Sequence, residues 1–98
     1  MTSIPDLHDA TLITIIFEWQ NASATLLFKT GVNDSDMLKI QAEAVTNLRF
    51  PRLQPWGPSS SVNAVSLKAV NEGQILFVEM QSGDILEVSC DEVLIKKT

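Results

Sequence analysis

Apolar and polar residues alternate with a period of two along most of this chain, and clusters of turn-forming residues break the alternation at short intervals. Successive side chains of a strand point to opposite faces, so the pattern predicts short strands rather than helices. ATLITIIFEW places Ile13, Ile15, Phe17 and Trp19 on one face and Leu12 and Ile16 on the other. Apolar residues on both faces predict a central strand covered from two sides. The polar stretch QNAS then turns the chain, and ATLLFK sets Ala24, Leu26 and Phe28 against Thr25, Leu27 and Lys29. Together the two runs read as an antiparallel hairpin.

GVNDSD is a cluster of turn formers, and MLKIQAEAVTNLRF beyond it alternates as Leu38, Ile40, Ala42 and Ala44 against Lys39, Gln41, Glu43 and Val45. A period of two fits these apolar positions best, which favours a strand. A helix is the competing reading for residues 37–48, because Asp34 to Asp36 could cap one and Met, Leu, Lys, Gln, Ala and Glu are good helix formers. VNAVSLKAV, QILFVEM, ILEVSC and EVLIKK supply four further strand patterns, separated by NEG and by Ser82-Gly83-Asp84. Leu86, Val88 and Cys90 share one face of ILEVSC. The whole predicts a mainly β protein of six or seven short strands, a single antiparallel sheet curled into a small barrel or sandwich, with room for one short helix over an end. The expected core is Ile13, Ile15, Phe17, Leu26, Phe28, Ile40, Leu67, Leu76, Val78, Leu86 and Val88.

Size and composition narrow the class. The 98 residues suit one domain over the whole chain, residues 1–98, and 45% hydrophobic against 19% charged residues is a globular balance. Twelve acids against seven bases give a net charge of −5. An acidic surface repels phosphate, so nucleic acid and anionic membranes are disfavoured as partners and a basic protein fits more easily; the charge also serves plain solubility. Cys90 is the only cysteine, so no internal disulfide can form and a reducing compartment is favoured. MTSIPDLHD has no basic leader region, and the apolar run from Leu12 to Phe17 is too short to span a bilayer. The expected location is cytoplasmic. Two matches to the glycosylation pattern, at Asn21 and Asn33, read as turns in that setting.

Candidate chemistry is sparse. Asp6, His8 and Asp9 in DLHD are potential ligands or proton carriers, but a metal normally needs three or more well-placed donors with an orienting second layer, and His8 is the only histidine. The competing reading is a polar turn at strand entry, with His8 and Asp9 bonding backbone amides. Cys90 continues an apolar face, which fits a buried inert thiol better than a nucleophile. No nucleophile elbow and no glycine-rich phosphate loop occur, so no enzyme activity and no cofactor are expected.

RFPRLQPWGPSSSVN is the most distinctive stretch. Pro51, Pro55 and Pro58 stiffen it and Gly57 lets it turn, so its side chains can be presented with little ordering entropy. Trp56 and Arg52 are therefore candidate anchors for a partner, joined by nearby acids such as Asp34 and Asp36. Equally, Trp56 can fold back to plug one end of the sheet.

LHDATLITIIFEW, PWGPSSSVN and MQSGDILEVSCDEVLIKK, in that order, resemble landmarks of small β-rich bacterial proteins of unassigned function, some of them grouped with immunity proteins of polymorphic toxin systems. The resemblance spans most of the chain on short motifs. It implies a cytoplasmic protein that works by binding, masking a toxin's active surface, and it carries no catalytic residues with it. Two functional classes follow: a protein-binding module using Arg52, Trp56, Asp34 and Asp36, with a homodimer left open, or a small ligand-binding domain or enzyme centred on Asp6, His8 and Asp9. An open pocket holding His8 would favour the second, and an exposed rim at Trp56 the first.

Overall fold

Two four-stranded antiparallel sheets make up the computed structural model, which describes residues 4–33, 35–53 and 60–97. The strands are β1 (Thr11–Glu18), β2 (Ser23–Lys29), β3 (Met37–Glu43), β4 (Asn47–Arg49), β5 (Val62–Val70), β6 (Gly73–Met80), β7 (Ile85–Cys90) and β8 (Glu92–Lys97). One sheet has the order β1-β2-β3-β8 and the other β4-β7-β6-β5. The described residues thus form eight strands rather than six or seven, in two sheets rather than one, with no helix and no closed barrel. Residues 37–43 are strand, which resolves the competing helix.

The extra strand comes from a bend. MLKIQAEAVTNLRF reads as one continuous run, but Ala44 takes a left-handed φ of 53° and redirects the chain, so β3 lies in one sheet and β4 in the other. Beside it the chain turns at Asp91 between β7 and β8, which also changes sheets. Backbone bonds tie the two bends together: the Asp91 amide donates to the Glu43 carbonyl (3.0 Å) and the Thr46 amide to that of Ser89 (2.9 Å). Such sheet-switching corners satisfy the backbone groups that a break in a ladder would otherwise orphan.

A second corner joins the start of β1 to the start of β5. Thr11 and Ser61 form an isolated antiparallel bridge. The amides of Asp9, Leu12 and Val62 donate to the carbonyls of Val62, Ser60 and Ala10, each at 2.8 Å. Both strands carry an irregularity at this corner, between Leu12 and Thr14 in β1 and between Val62 and Ala64 in β5. A bulge adds one residue, ends regular pairing and increases local twist.

The bulge at Ile13 also reverses part of the predicted facing. Leu12 pairs with Phe28, Ile15 with Leu26 and Phe17 with Ala24, so Leu12, Ile15 and Phe17 share the inner face. Ile13 was expected in the core and is 46% exposed, while Trp19 is 87% exposed. β1 is not central: it is an edge strand with Ile16 on its outer face, 58% exposed. One added residue shifts a period-two pattern by one step, which moves every side chain beyond it to the other face.

The core forms where the two inner faces meet. Ala24, Leu26, Phe28, Leu38, Ile40, Ala42 and Val93 from one sheet meet Val62, Leu76, Val78, Met80, Leu86, Val88 and Cys90 from the other. Ile15, Phe17 and Leu67 pack against this cluster half-buried. Each large aliphatic or aromatic side chain so buried contributes about 1.5–3 kcal/mol.

Candidate functional site

Two grooves lie end to end along β1 on its unpaired side. The first, about 310 Å³, is lined by Leu12 to Ile15 on one wall and by Phe50, Pro51 and Arg52 on the other, with Ser60, Met80, Asp84 and Leu86 completing it. The second, about 510 Å³, lies between Phe17, Trp19 and Ala22 and the start of β4, from Val45 to Leu48. In both, β1 forms one side and β4 or the residues flanking it form the other. These are edge strands, one from each sheet, and they border a seam between the sheets; β8 and β5 are the other two edges.

Asp84 shapes the first groove. It is 6% exposed, and its side chain accepts from the Leu53 amide (3.1 Å) and the Ser82 hydroxyl (3.0 Å). Its carbonyl accepts from the Met80 amide at 2.8 Å. A carboxylate this well buried must be hydrogen-bonded, and here the bonds tie the chain leaving β4 to the β6–β7 turn. Arg52 is exposed on the groove wall just before Leu53. Asp84 was not singled out from its sequence, where SGD signals only a turn; the pairing with Leu53 spans 31 residues and is invisible to local pattern.

Along the lip of the second groove, the Trp19 and Phe17 rings meet edge to face with centroids 6.1 Å apart. Ala22 adopts a left-handed φ of 50°, and its carbonyl accepts from the Val45 amide (2.8 Å). That bond holds the β1–β2 turn against the bend at Ala44. Alanine is rarely found in this conformation, so the surrounding structure must hold it there.

Asp6, His8 and Asp9 are brought together, but as a turn. The Asp6 carboxylate accepts from the His8 amide (3.0 Å), and His8 Nδ1 lies 3.2 Å from Asp9 Oδ2 with both side chains more than half exposed. Asp6, rather than His8 or Asp9, makes the side-chain bond to a backbone amide. Gln81 Nε2 donates to Asp9 Oδ1 (2.6 Å) and to the Val62 carbonyl (3.3 Å), locking this turn to the one between β6 and β7. None of the three lines either groove. Among the described residues no group of three or more His, Cys, Asp or Glu is placed to hold a metal ion.

The remaining candidates are dispersed. Asp36 works inside its own turn: its carboxylate accepts from the Asn33 amide (3.2 Å) and its carbonyl from the Thr30 amide (2.7 Å). Asp34 and Trp56 lie outside the described residues, as do Pro55, Gly57 and Pro58. Cys90 is buried, and desolvation, reinforced by the neighbouring Asp91 carboxylate, raises its thiol pKa despite a backbone bond from Glu92 that lowers it. A thiol held neutral is a poor nucleophile.

Among the described residues no helix is long and apolar enough to cross a membrane. Compared with family models, curated proteins and solved structures, the chain matches none.

Proposed function

We propose that this chain is a small cytoplasmic protein-binding module without enzymatic activity, a two-sheet sandwich with a grooved seam between β1 and β4, whose role fits an immunity protein that masks a bacterial toxin. The observation that carries the reading is the seam itself. Ile13, Ile16 and Trp19 are exposed along one strand edge, at 46, 58 and 87%, beside two grooves. Solitary exposed apolar residues are ordinary, but several of them along and just beyond one edge strand mark a surface that other proteins contact. Arg52 stands on the wall of the first groove and Trp19 on that of the second, and arginine and tryptophan are residues that interfaces concentrate. The net charge of −5 supports a basic partner.

The alternative, a ligand site at Asp6, His8 and Asp9, has less support because those side chains are exposed and bonded to one another and to Gln81 rather than aimed into a cavity. Site-specific photocrosslinking in cells tests the main reading. A benzophenone side chain at Ile13 or Trp19 should capture a discrete protein, while one at Lys68 or Lys96 on other edges should not. Capture at none of the four positions, or at all of them equally, refutes it. Growth rescue when the captured protein is produced together with this chain would test the immunity role.

A further inference from the structure

We propose that the outward face of the sheet containing β3 and β8 is a self-complementary docking surface for a second copy of this chain. The two copies meet face to face across a two-fold axis that runs along the row of Ile16, Gln41 and Leu94, and the lysines of each oppose the glutamates of the other.

Alternation builds the face. Leu38, Ile40, Ala42 and Val93 are buried between the sheets, so Lys39, Gln41 and Glu43 on β3 and Glu92, Leu94 and Lys96 on β8 point outward. The ladder sets Lys39 opposite Lys96, Gln41 opposite Leu94 and Glu43 opposite Glu92. A basic pair and an acidic pair thus stand about 13 Å apart along the strands. Like charges directly opposite each other in a ladder are destabilising. Lys39, Lys96 and Glu92 are exposed, and no described residue forms an ion pair with any of the three. Glu43 accepts from Gln41 Nε2 (2.6 Å), which holds its carboxylate on this face. Between the two pairs the row is uncharged, running from Ile16 (58% exposed) through Thr25 and Gln41 to Leu94 (37% exposed).

Symmetry selects the partner and its orientation. A two-fold contact uses the same patch on both copies. With the axis parallel to the strands, lysine would lie over lysine and glutamate over glutamate. With the axis along the uncharged row the strand direction is reversed, so Lys39 of each copy lies over Glu43 of the other, Lys96 over Glu92, and Ile16 and Leu94 over the same residues of the other copy. The two like-charge pairs of each copy are then neutralised by those of its mate. Face-to-face sheets keep their strands within about 30° of each other, an offset that long lysine and glutamate side chains can follow.

Area sets the strength. Four strands about 4.8 Å apart and about 20 Å long present on the order of 400 Å² per copy. The total of about 800 Å² is below the roughly 1,200 Å² of stable interfaces, so the dimer is weak and reversible. A net charge of −5 opposes it at long range. In about 0.15 M salt the Debye length of about 8 Å screens that repulsion while leaving charges in contact attractive. The surface is separate from the seam, and product mass tells the two apart: a crosslinker at Lys96 can join only two copies of this chain, whereas Ile13 and Trp19 capture a foreign partner.

The test is sedimentation velocity on the full chain at about 1 mM in about 0.15 M salt. Wild type should show a dimer in rapid exchange. Two double variants, Lys39→Glu with Lys96→Glu and Glu43→Lys with Glu92→Lys, should each self-associate at least about tenfold more weakly, and an equimolar mixture of them should associate at least as tightly as wild type. All four substitutions in one chain exchange the signs at constant net charge and should restore the dimer. Circular dichroism checks that each variant folds. If one does not, wild-type amide shifts carry the test: on raising the concentration they should move in β3 and β8 and stay fixed in β5 to β7. A chain that remains monomeric at this concentration, double variants that dimerise like wild type, a mixture that stays monomeric, or shifts confined to other strands would overturn the proposal.

Discussion

Asp84 is the charged residue buried most deeply among the described positions, and its replacement gives the sharpest test of how the seam is held open. In Asp84→Ala the Leu53 amide and the Ser82 hydroxyl lose their acceptor. Hydrogen bonds to a charged group contribute about 1.5–3 kcal/mol each, and part of that is offset because the carboxylate no longer has to be desolvated. A net loss of about 2–3 kcal/mol follows, and at roughly 4–8 °C per kcal/mol for a domain of this size the melting midpoint should fall by about 10–20 °C. Asp84→Asn keeps an acceptor for the Leu53 amide and should lose about half as much. Thermal melts followed by far-ultraviolet circular dichroism measure both variants, and amide hydrogen exchange locates the effect. Exchange at Leu53 should accelerate in the alanine variant before global unfolding does. A midpoint within about 2 °C of wild type, or an asparagine variant as damaged as the alanine one, would refute the claim that this carboxylate anchors the groove wall.

The bulge in β1 makes Leu26→Ala and Ile13→Ala unequal: the first should cost about 2–5 kcal/mol by leaving a cavity between the sheets, the second less than about 1 kcal/mol, as read from urea midpoints. Equal losses would mean that Ile13 is a core residue after all. Gly73, at a φ of 129°, would place an added Cβ against the Cys90 carbonyl, so Gly73→Ala should destabilise by about 2 kcal/mol or more in the same melts. For Cys90 the folded pKa lies above the ordinary thiol value of 9.0, so above that pH the unfolded chain releases the proton first and native stability falls. Wild type should therefore lose more stability than Cys90→Ala between pH 9 and 10.5. Parallel slopes for the two proteins would show that the thiol is not the cause.

What the sequence determined by itself is the local character of nearly every segment. Period-two alternation, with turn residues between the runs, marks β1, β2 and β5 to β8 close to their observed bounds and the start of β3, because the side chains of a strand obey the pleat wherever it lies. The inner faces of β2 and β7 were legible for the same reason, and the buried Cys90 with them. Pattern failed where the backbone departs from regular geometry. No residue type announces the bulge at Ile13, which reversed the facing of Leu12 and displaced Ile13 from the expected core. Ala44 carries the bend that splits one apparent strand into β3 and β4, yet nothing about an alanine signals a positive φ, which non-glycine residues adopt uncommonly.

The site was less legible still. Arg52 was singled out as an anchor and does line a groove, but the wall beside it depends on Asp84, 31 residues beyond Leu53. For His8 the strand-entry turn was one of the readings the sequence offered, and the fold places it in one, with Asp6 rather than His8 or Asp9 bonding the backbone amide. Which edge stays unpaired is decided by tertiary structure alone. An edge is defined by the absence of a neighbour, and local sequence records propensity and facing but not which strands meet. β1 looked central because it is apolar on both faces; the fold instead makes it the edge strand of its sheet, paired with β2.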